Sequence, residues 1–415
     1  MRCASRSIDF WLGGGEAGRW DPIFVCAMIV IGIFVLARRP CKWGRVFEHN
    51  RAIFAFYGFM IVSVAWATAL ENPAIKILRP VGDLIMALVV VTEPNPRQAI
   101  ATMFRRCAIL LIPLSIVLIR YFPSLGRGFN KHWGNDPWIG VTTHKNPLGQ
   151  LCIVSGLAFL WSLAEARRKG EPLLRQSLAW LYVAMTLYLF NAGGISRSST
   201  AIVCFVLAVA LFIVFGLMRK QPQMVIRRIV LGALILAASA ITLEMFGSSL
   251  QAVVAGLQGK EANLTGRTWL WHDVIRLGMR HPMLGSGYGA FWVPSIYDEL
   301  SPEVDNFPAE AHNGFLETFA NLGLVGVGLL CWVILQTLGS ASRVIRTDFE
   351  YGRLRLVLLF MVLVMNYAEA TFPRGTHLWW FGFLVVAVYA RPWVFWPETQ
   401  QSKLGVARPE VAAHP

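Results

Sequence analysis

Ser199 to Met218 reads STAIVCFVLAVALFIVFGLM, with no charged residue along its length, and runs directly into Arg219 and Lys220. A bilayer core of about 30 Å takes roughly 20 apolar residues as a helix, so this stretch predicts a membrane span. The same alternation of apolar run and basic cluster recurs through the chain. Runs precede it at Pro22–Ala37, Ala52–Leu70, Ala74–Thr92, Ala99–Ile119, Pro147–Leu163 and Ser177–Phe190. Others follow at Ile229–Phe246, Gly314–Gln336, Leu354–Thr371 and Leu378–Trp396. The expected fold class is an all-α polytopic membrane protein of about 11 transmembrane helices (range about 10–12). The third run carries Lys76, Arg79 and Asp83, and the sixth is short.

Composition agrees. Of the 415 residues 55% are hydrophobic and only 15% charged, with mean hydropathy +0.52. Soluble domains carry about 25% charged residues. A water-soluble enzyme could not cover its surface with so little charge, and an unfolded chain would not hold so much apolar material. The 16 Trp and 9 Tyr suit interfacial belts. The net charge of +14 comes from short clusters between apolar runs, so it excludes a nucleic-acid partner and instead sets membrane orientation. The seven cysteines are scattered without a CxxC pair, arguing against disulfides and zinc. The first apolar run ends at Arg38–Arg39 with no small-residue cleavage site, so no signal peptide is expected.

Basic residues concentrate at Arg38–Arg51, Arg97–Arg106, Arg167–Arg175, Arg219–Arg228, Arg343–Arg355 and after Arg391. By the positive-inside rule these loops are cytoplasmic, as is the C-terminus. The expected organisation is spans one to eight in residues 1–246, a large extracytoplasmic loop at 247–313 and spans nine to eleven at 314–396. A cytoplasmic tail occupies 397–415. Loops of this length usually carry function. Two further outer loops, Arg120–Asn146 and Asn191–Arg197, face the same compartment.

Within the large loop, Leu264 to Trp292 reads LTGRTWLWHDVIRLGMRHPMLGSGYGAFW. Thr265, Trp271, Ile275 and Leu277 predict a short amphipathic helix on the membrane surface, stopped near His281–Pro282. The Gly285–Gly289 stretch could bring amides to a phosphate. Without a preceding dinucleotide-fold strand it reads as a plain turn. Tyr288 inside it is a candidate for substrate contact. Tyr297–Glu310 is acidic and Pro-bearing, as a solvated or sugar-facing surface would be. The loop ends at His312, at the mouth of a span. A histidine there can take a proton near neutral pH; on position alone, a helix cap or lipid-headgroup contact reads as well. His272 and His281 fit surface positions, with His132 and His144 intermediate.

Positive charge is sparse outside, so Arg127, Lys131, Lys145, Arg197 and Arg267 need a reason. Each could be a snorkelling anchor. Arg197 stands between Gly193–Gly194 and Ser198–Ser199, where two spans nearly meet, and a planar guanidinium suits a diphosphate. Arg79 and Asp83, four apart, fit an intramembrane pair.

These residues resemble a family. His312–Asn313, nine residues, Gly323, two residues, Gly326 is similar to a signature of bacterial O-antigen ligases and their polymerase relatives. Gly266-Arg267 with Trp271, His281-Pro282 with Gly285 and Gly287, Thr143–Gly149, and Ser196–Ser198 resemble the same superfamily. The likeness runs from about residue 50 to 390, and the overall style is closest to succinoglycan-type exopolysaccharide polymerases.

The resemblance implies a glycosyltransferase without metal or cofactor, at the periplasmic face of the bacterial inner membrane. Its implied partners are an undecaprenyl-diphosphate-linked oligosaccharide, an acceptor glycan and the lipid bilayer, with a flippase and a chain-length regulator as further candidates. His312 is the expected general base, with Arg197 and Arg267 as catalytic cations. Lys145, Arg127, Asn313 and Tyr288 are expected at the substrate. Asn313 could orient the histidine or cap the helix; Gly323 and Gly326 suit close helix packing. The expected function is polymerisation of repeat units for exopolysaccharide or O-antigen. The alternatives are an O-antigen ligase acting on lipid A core, or a transporter using Arg79, Asp83 and Glu369.

Overall fold

The computed structural model describes residues 20–67, 73–128, 137–190, 199–220, 265–301, 308, 310–375, 377–389 and 395–397. The first six helices are α1 (Trp20–Arg38), α2 (Trp43–His49), α3 (Arg51–Val62), α4 (Pro73–Val91), α5 (Pro96–Tyr121) and the short α6 (Pro123–Gly126). A 3-10 turn at Ser63–Trp66 extends α3. Next come α7 (Lys145–Arg168), α8 (Leu173–Phe190), α9 (Ser199–Leu217), α10 (Thr265–Gly278) and α11 (Pro294–Tyr297). The last three are α12 (Gly314–Thr347), α13 (Phe349–Ala368) and α14 (Leu378–Ala387). Among the described residues extended pairing is confined to an isolated bridge between Arg127 and Trp138.

Local chemistry fixes the helix starts. Asn95 accepts from the Gln98 amide with Pro96 in the first turn of α5, and Asp348 accepts from Tyr351 at the start of α13. The Asn313 side chain accepts from the amides of Phe315 at 3.0 Å and Leu316 at 3.2 Å, capping α12.

Four described helices, α5, α7, α8 and α12, are long and apolar enough to cross a membrane. The segments Ile23–Arg38 and Trp43–His49, bent by 114°, make a fifth span if counted together. Every expected span except Ile229–Phe246 overlaps a helix; that stretch lies outside the described residues, as do 68–70 and 390–394 of two others. The helices alone support fewer crossings than the expected eleven, because charge and length intervene. Helix α4 carries Lys76, Arg79 and Asp83, α13 starts with Glu350, Arg353 and Arg355, and α14 ends after 10 residues.

The surface is that of a membrane protein. Ile23, Phe24, Val30, Ile31, Ile33 and Phe34 on α1 are all more than half exposed, and α5 and α8 expose Leu110 and Leu181 similarly. In water such continuous apolar faces would drive association; against lipid tails they cost nothing.

Helix α12 lies against α13, α3 and α10, while α7 lies against α8, α5 and α9. Phe56 of α3, Phe372, and Trp380 and Phe383 of α14 pack ring against ring into an aromatic cluster. The expected surface helix is present as α10. It is not left lying on the membrane surface alone: Leu270, Val274 and Leu277 bury against Phe291, Ala311 and Ala320. The described part of the 247–313 segment is therefore docked on the start of α12.

Candidate functional site

Helix α12 is broken by its own sequence. Gly323 adopts φ 64°, ψ −167°, a backbone open essentially to glycine alone. The break frees carbonyls and amides that a continuous helix would pair, and the 282–287 turn takes them up. Ser286 N donates to Ala320 O at 3.1 Å and Gly287 N to Asn321 O at 2.9 Å. In return Leu324 N donates to Pro282 O at 2.8 Å and Val325 N to Met283 O at 3.1 Å. The Gly-rich stretch is thus a turn clasped to α12. Its remaining amides are engaged as well: Gly285 N with His281 O, Tyr288 N with Ser63 Oγ, and Gly289 N with Asn321 Oδ1. It has no amide donors left for a phosphate, and the plain-turn reading holds.

Two contacts then pin the residue before His312. The Ala311 amide donates to Glu317 Oε2 at 2.9 Å, and the Trp271 indole donates to Ala311 O at 2.9 Å. Glu317 is itself held by Trp292 Nε1, 3.0 Å from each oxygen, and by Asn321 Nδ2 at 2.9 Å. With Ala311 fixed and Asn313 committed to the cap, His312 is carried at φ +49°. A non-glycine residue in that region is strained and persists only where its surroundings over-determine it, as functional sites commonly do.

The His312 side chain is 36% exposed, open enough to meet a substrate. Its Nδ1 lies 3.1 Å from Glu369 Oε2 and 3.2 Å from Glu310 Oε1. Glu369 Oε1 accepts from Asn146 Nδ2 at 3.1 Å, and the other oxygen of Glu310 meets the Arg374 guanidinium. Glu310, His312 and Glu369 each bring one donor atom within 4.8 Å of the others, a set able to hold a divalent cation. Arg374 and Asn146 already engage the two carboxylates, however, so a cation would compete with a guanidinium and an amide for them.

Beside this cluster opens a cavity of about 310 Å³. Lys76, Arg79 and Arg374 bring positive charge to it, Tyr288 and Trp292 bring aromatic faces, and Glu310 joins it to the histidine. Lys76 Nζ donates to Gly289 O at 2.7 Å, and Tyr288 donates its hydroxyl to Pro373 O at 2.7 Å. Burial, aided by Asp83 and Glu317, holds that phenol well above its usual range, so it stays a neutral donor. His377, close behind, is pushed down to about 4 by burial and by Arg374, against the opposing pull of Glu369.

The expected site residues distribute as follows. His312 and Tyr288 stand at or beside the cavity. Asn313 caps α12, and its side-chain oxygen is held there. Lys145 opens α7 next to Asn146. Arg267 lies in the first turn of α10. Arg127 donates from Nε to Ile119 O at 3.1 Å, in a local clasp outside the cavity lining. Arg197 lies outside the described residues, as do Lys131 and His132. Sequence reading missed Glu310 and Arg374 and assigned Glu369 and Arg79 elsewhere. Glu369 ends α13 beside the histidine, and Arg79 lines the cavity. Glu310 could have been suspected as an acid two residues from the histidine; nothing local marked Arg374.

Two comparisons with known proteins bear on this arrangement. A family model described as O-antigen ligase matches residues 183–331, which include His312, Arg267 and the Gly323 break. The chain is also 23% identical over 305 residues to the exopolysaccharide production protein ExoQ of Rhizobium meliloti (strain 1021). That alignment covers 71% of this chain and 66% of the relative, so the chain spans just under two thirds of that protein's length. Both findings support the superfamily of O-antigen ligases and polymerases to which the motifs point.

Proposed function

We propose that this chain is a glycosyltransferase of that superfamily. It would join oligosaccharide repeat units carried on undecaprenyl diphosphate into exopolysaccharide or O-antigen, working at the periplasmic face of the bacterial inner membrane. In this reading the chain crosses the membrane about eleven times, with residues 247–313 outside and 397–415 in the cytoplasm, as the basic loops require. One observation carries the proposal. A strained, half-exposed histidine backed by carboxylates stands beside a cavity bearing Lys76, Arg79 and Arg374.

The reaction follows from that placement. His312 removes the proton from the acceptor hydroxyl, whose oxygen forms a bond to the anomeric carbon of the donor sugar. The bond from that carbon to the diphosphate oxygen breaks, and its electron pair leaves with undecaprenyl diphosphate. A positioned base of this kind is worth about 10²–10⁴ in rate. Single displacement inverts the anomeric centre. Cations around the cavity, with Arg197 and Arg267 as the superfamily resemblance implies, stabilise the negative charge on the leaving diphosphate. Lys145 and Arg127 remain candidates on the substrate path. No metal or cofactor is required by this chemistry, since guanidinium and ammonium groups serve the leaving group.

The polymerase reading draws on the motif style and on the relative named for exopolysaccharide production. The ligase reading, with lipid A core as acceptor, draws on the matching family description. A flippase supplying the donor and a chain-length regulator are the partners a polymerase would need.

The test is made in cells that lack the endogenous protein and receive either this chain or its His312→Ala variant. The proposal expects polymer from the wild type. The variant, present in the membrane at the same level, leaves single repeat units on the lipid carrier. Glycan appearing on lipid A core would replace the polymerase by the ligase, and full polymer from the variant would remove the histidine from the reaction.

A further inference from the structure

We infer that Glu369, steadied by Asn146, is the positioning residue of this site, setting the tautomer and rotation of the His312 ring so that Nε2 faces the acceptor. The inference rests on the base role proposed for His312 and adds the residues through which that role is kept.

A neutral imidazole has one nitrogen that donates and one that accepts. The nitrogen facing a carboxylate carries the proton, and the other keeps the lone pair. In this protein Nδ1 faces carboxylate oxygens, so the lone pair is on Nε2. Two carboxylates compete for the single Nδ1–H, Glu369 at 3.1 Å and Glu310 at 3.2 Å. Their second oxygens separate them. That of Glu310 meets the Arg374 guanidinium, which draws its negative charge away from the ring. That of Glu369 accepts from the side-chain amide of Asn146, which fixes the carboxylate in place.

The mechanical arrangement points the same way. Glu369 is the residue that ends α13, its backbone amide still bonded to Met365 O at 2.8 Å, so its side chain projects from a rigid helix end. Asn146 sits in the first turn of α7, and His312 precedes α12. Three helices therefore meet at one ring, and the orienting carboxylate comes from a different element than the base. When the imidazole takes the acceptor proton, the adjacent carboxylate stabilises the imidazolium, as in other base–carboxylate pairs.

A residue that acts only through the histidine has a diagnostic property: once the histidine is gone, removing it has no further effect. The full chain is reconstituted in lipid nanodiscs with undecaprenyl-diphosphate-linked oligosaccharide, and initial rates are measured. The variants are His312→Ala, Glu369→Ala, Glu369→Gln, Asn146→Ala and the His312→Ala/Glu369→Ala double. Glu369→Ala is expected to lower kcat about 10²-fold or more with KM unchanged, approaching the loss in His312→Ala. Asn146→Ala should lower kcat by a smaller factor in the same manner. The double variant should be no slower than His312→Ala alone. Should Glu369→Ala fail to fold, Glu369→Gln carries the test. Its amide oxygen can still accept the Nδ1–H without the charge, and a loss in kcat of at least about tenfold is expected.

The inference is overturned if Glu369→Ala and Glu369→Gln keep wild-type kcat while His312→Ala abolishes it. It is also overturned if the two losses multiply in the double variant, since that would mark a structural role independent of the ring. Wild-type turnover in His312→Ala would instead remove the base reading itself, so the two failures are distinguishable.

Discussion

Replacing Gly323 by alanine tests whether the break in α12 is a built feature. The backbone at φ 64°, ψ −167° costs a non-glycine residue about 1–3 kcal/mol. A Cβ there would lie 2.3 Å from Met283 O, 2.4 Å from Met283 C and 2.6 Å from Gly285 N. These are backbone atoms, so the turn at 282–287 must move away. Its four backbone hydrogen bonds to α12 are each worth about 1 kcal/mol net, and losing half of them brings the total to about 3–5 kcal/mol. Gly328 in the same helix is the control, because a Cβ there meets nothing within 4 Å. Gly328→Ala should stabilise by up to about 1 kcal/mol through helix propensity. Melting of the purified protein in detergent, followed by tryptophan fluorescence, should place Gly323→Ala well below wild type and Gly328→Ala at or above it. A Gly323→Ala variant that melts with or above the wild type would refute the claim that the break is held by the turn.

Other consequences can be checked with the same preparations. Asn313→Ala removes the cap on α12 and should cost about 1 kcal/mol in stability. It should also lower activity by loosening the adjacent His312, and Asn313→Asp, which keeps the acceptor, should restore both. His377 accepts from the Trp379 amide and is pushed down to about 4 by burial and Arg374, below its ordinary 6.5. Its folded value is depressed, so its contribution is complete above about pH 6.5 and is lost as pH falls toward 4, a change on the order of 3 kcal/mol. Melting measured across that range should show the slope in wild type and a flatter profile in His377→Asn, which keeps the cap. Turnover should be unchanged by EDTA; loss on chelation with recovery on adding a divalent ion would reassign Glu310, His312 and Glu369 as metal ligands.

Much of the fold was legible because a bilayer imposes a simple pattern. Lengths of apolar sequence and the placement of Arg219, Lys220 and their counterparts located the starts of the described helices to within about five residues, while α12 runs past Gln336 to Thr347 and α14 stops at Ala387, short of Trp396. The charged stretches were harder. Helices α4 and α13 carry side chains that a lipid-facing span would not tolerate, and their placement inside the bundle depends on neighbours that one-dimensional patterning does not reveal. At the site, His312 and Trp271 stood in recognisable motifs, and the structure joins them through Ala311. The Thr143–Gly149 stretch also drew notice, and the structure sets the side chain of its Asn146 against Glu369. Glu369 and Arg374 could not be found this way. They lie 57 and 62 positions beyond His312 in the chain, and only the return of α13 alongside α12 brings them to the ring. The acidic Tyr297–Glu310 segment was read as a solvated or sugar-facing surface, and its last residue, Glu310, meets Arg374 and His312.

The central claim is that His312 performs glycosyl transfer from a lipid-linked diphosphate. Its most direct test is the release of undecaprenyl diphosphate by purified protein in nanodiscs supplied with donor and acceptor oligosaccharide. Wild type should release one carrier for each glycosidic bond formed, and His312→Gln, melting at the wild-type temperature, should release it at least about 10²-fold more slowly. Equal release by the two proteins would contradict the account.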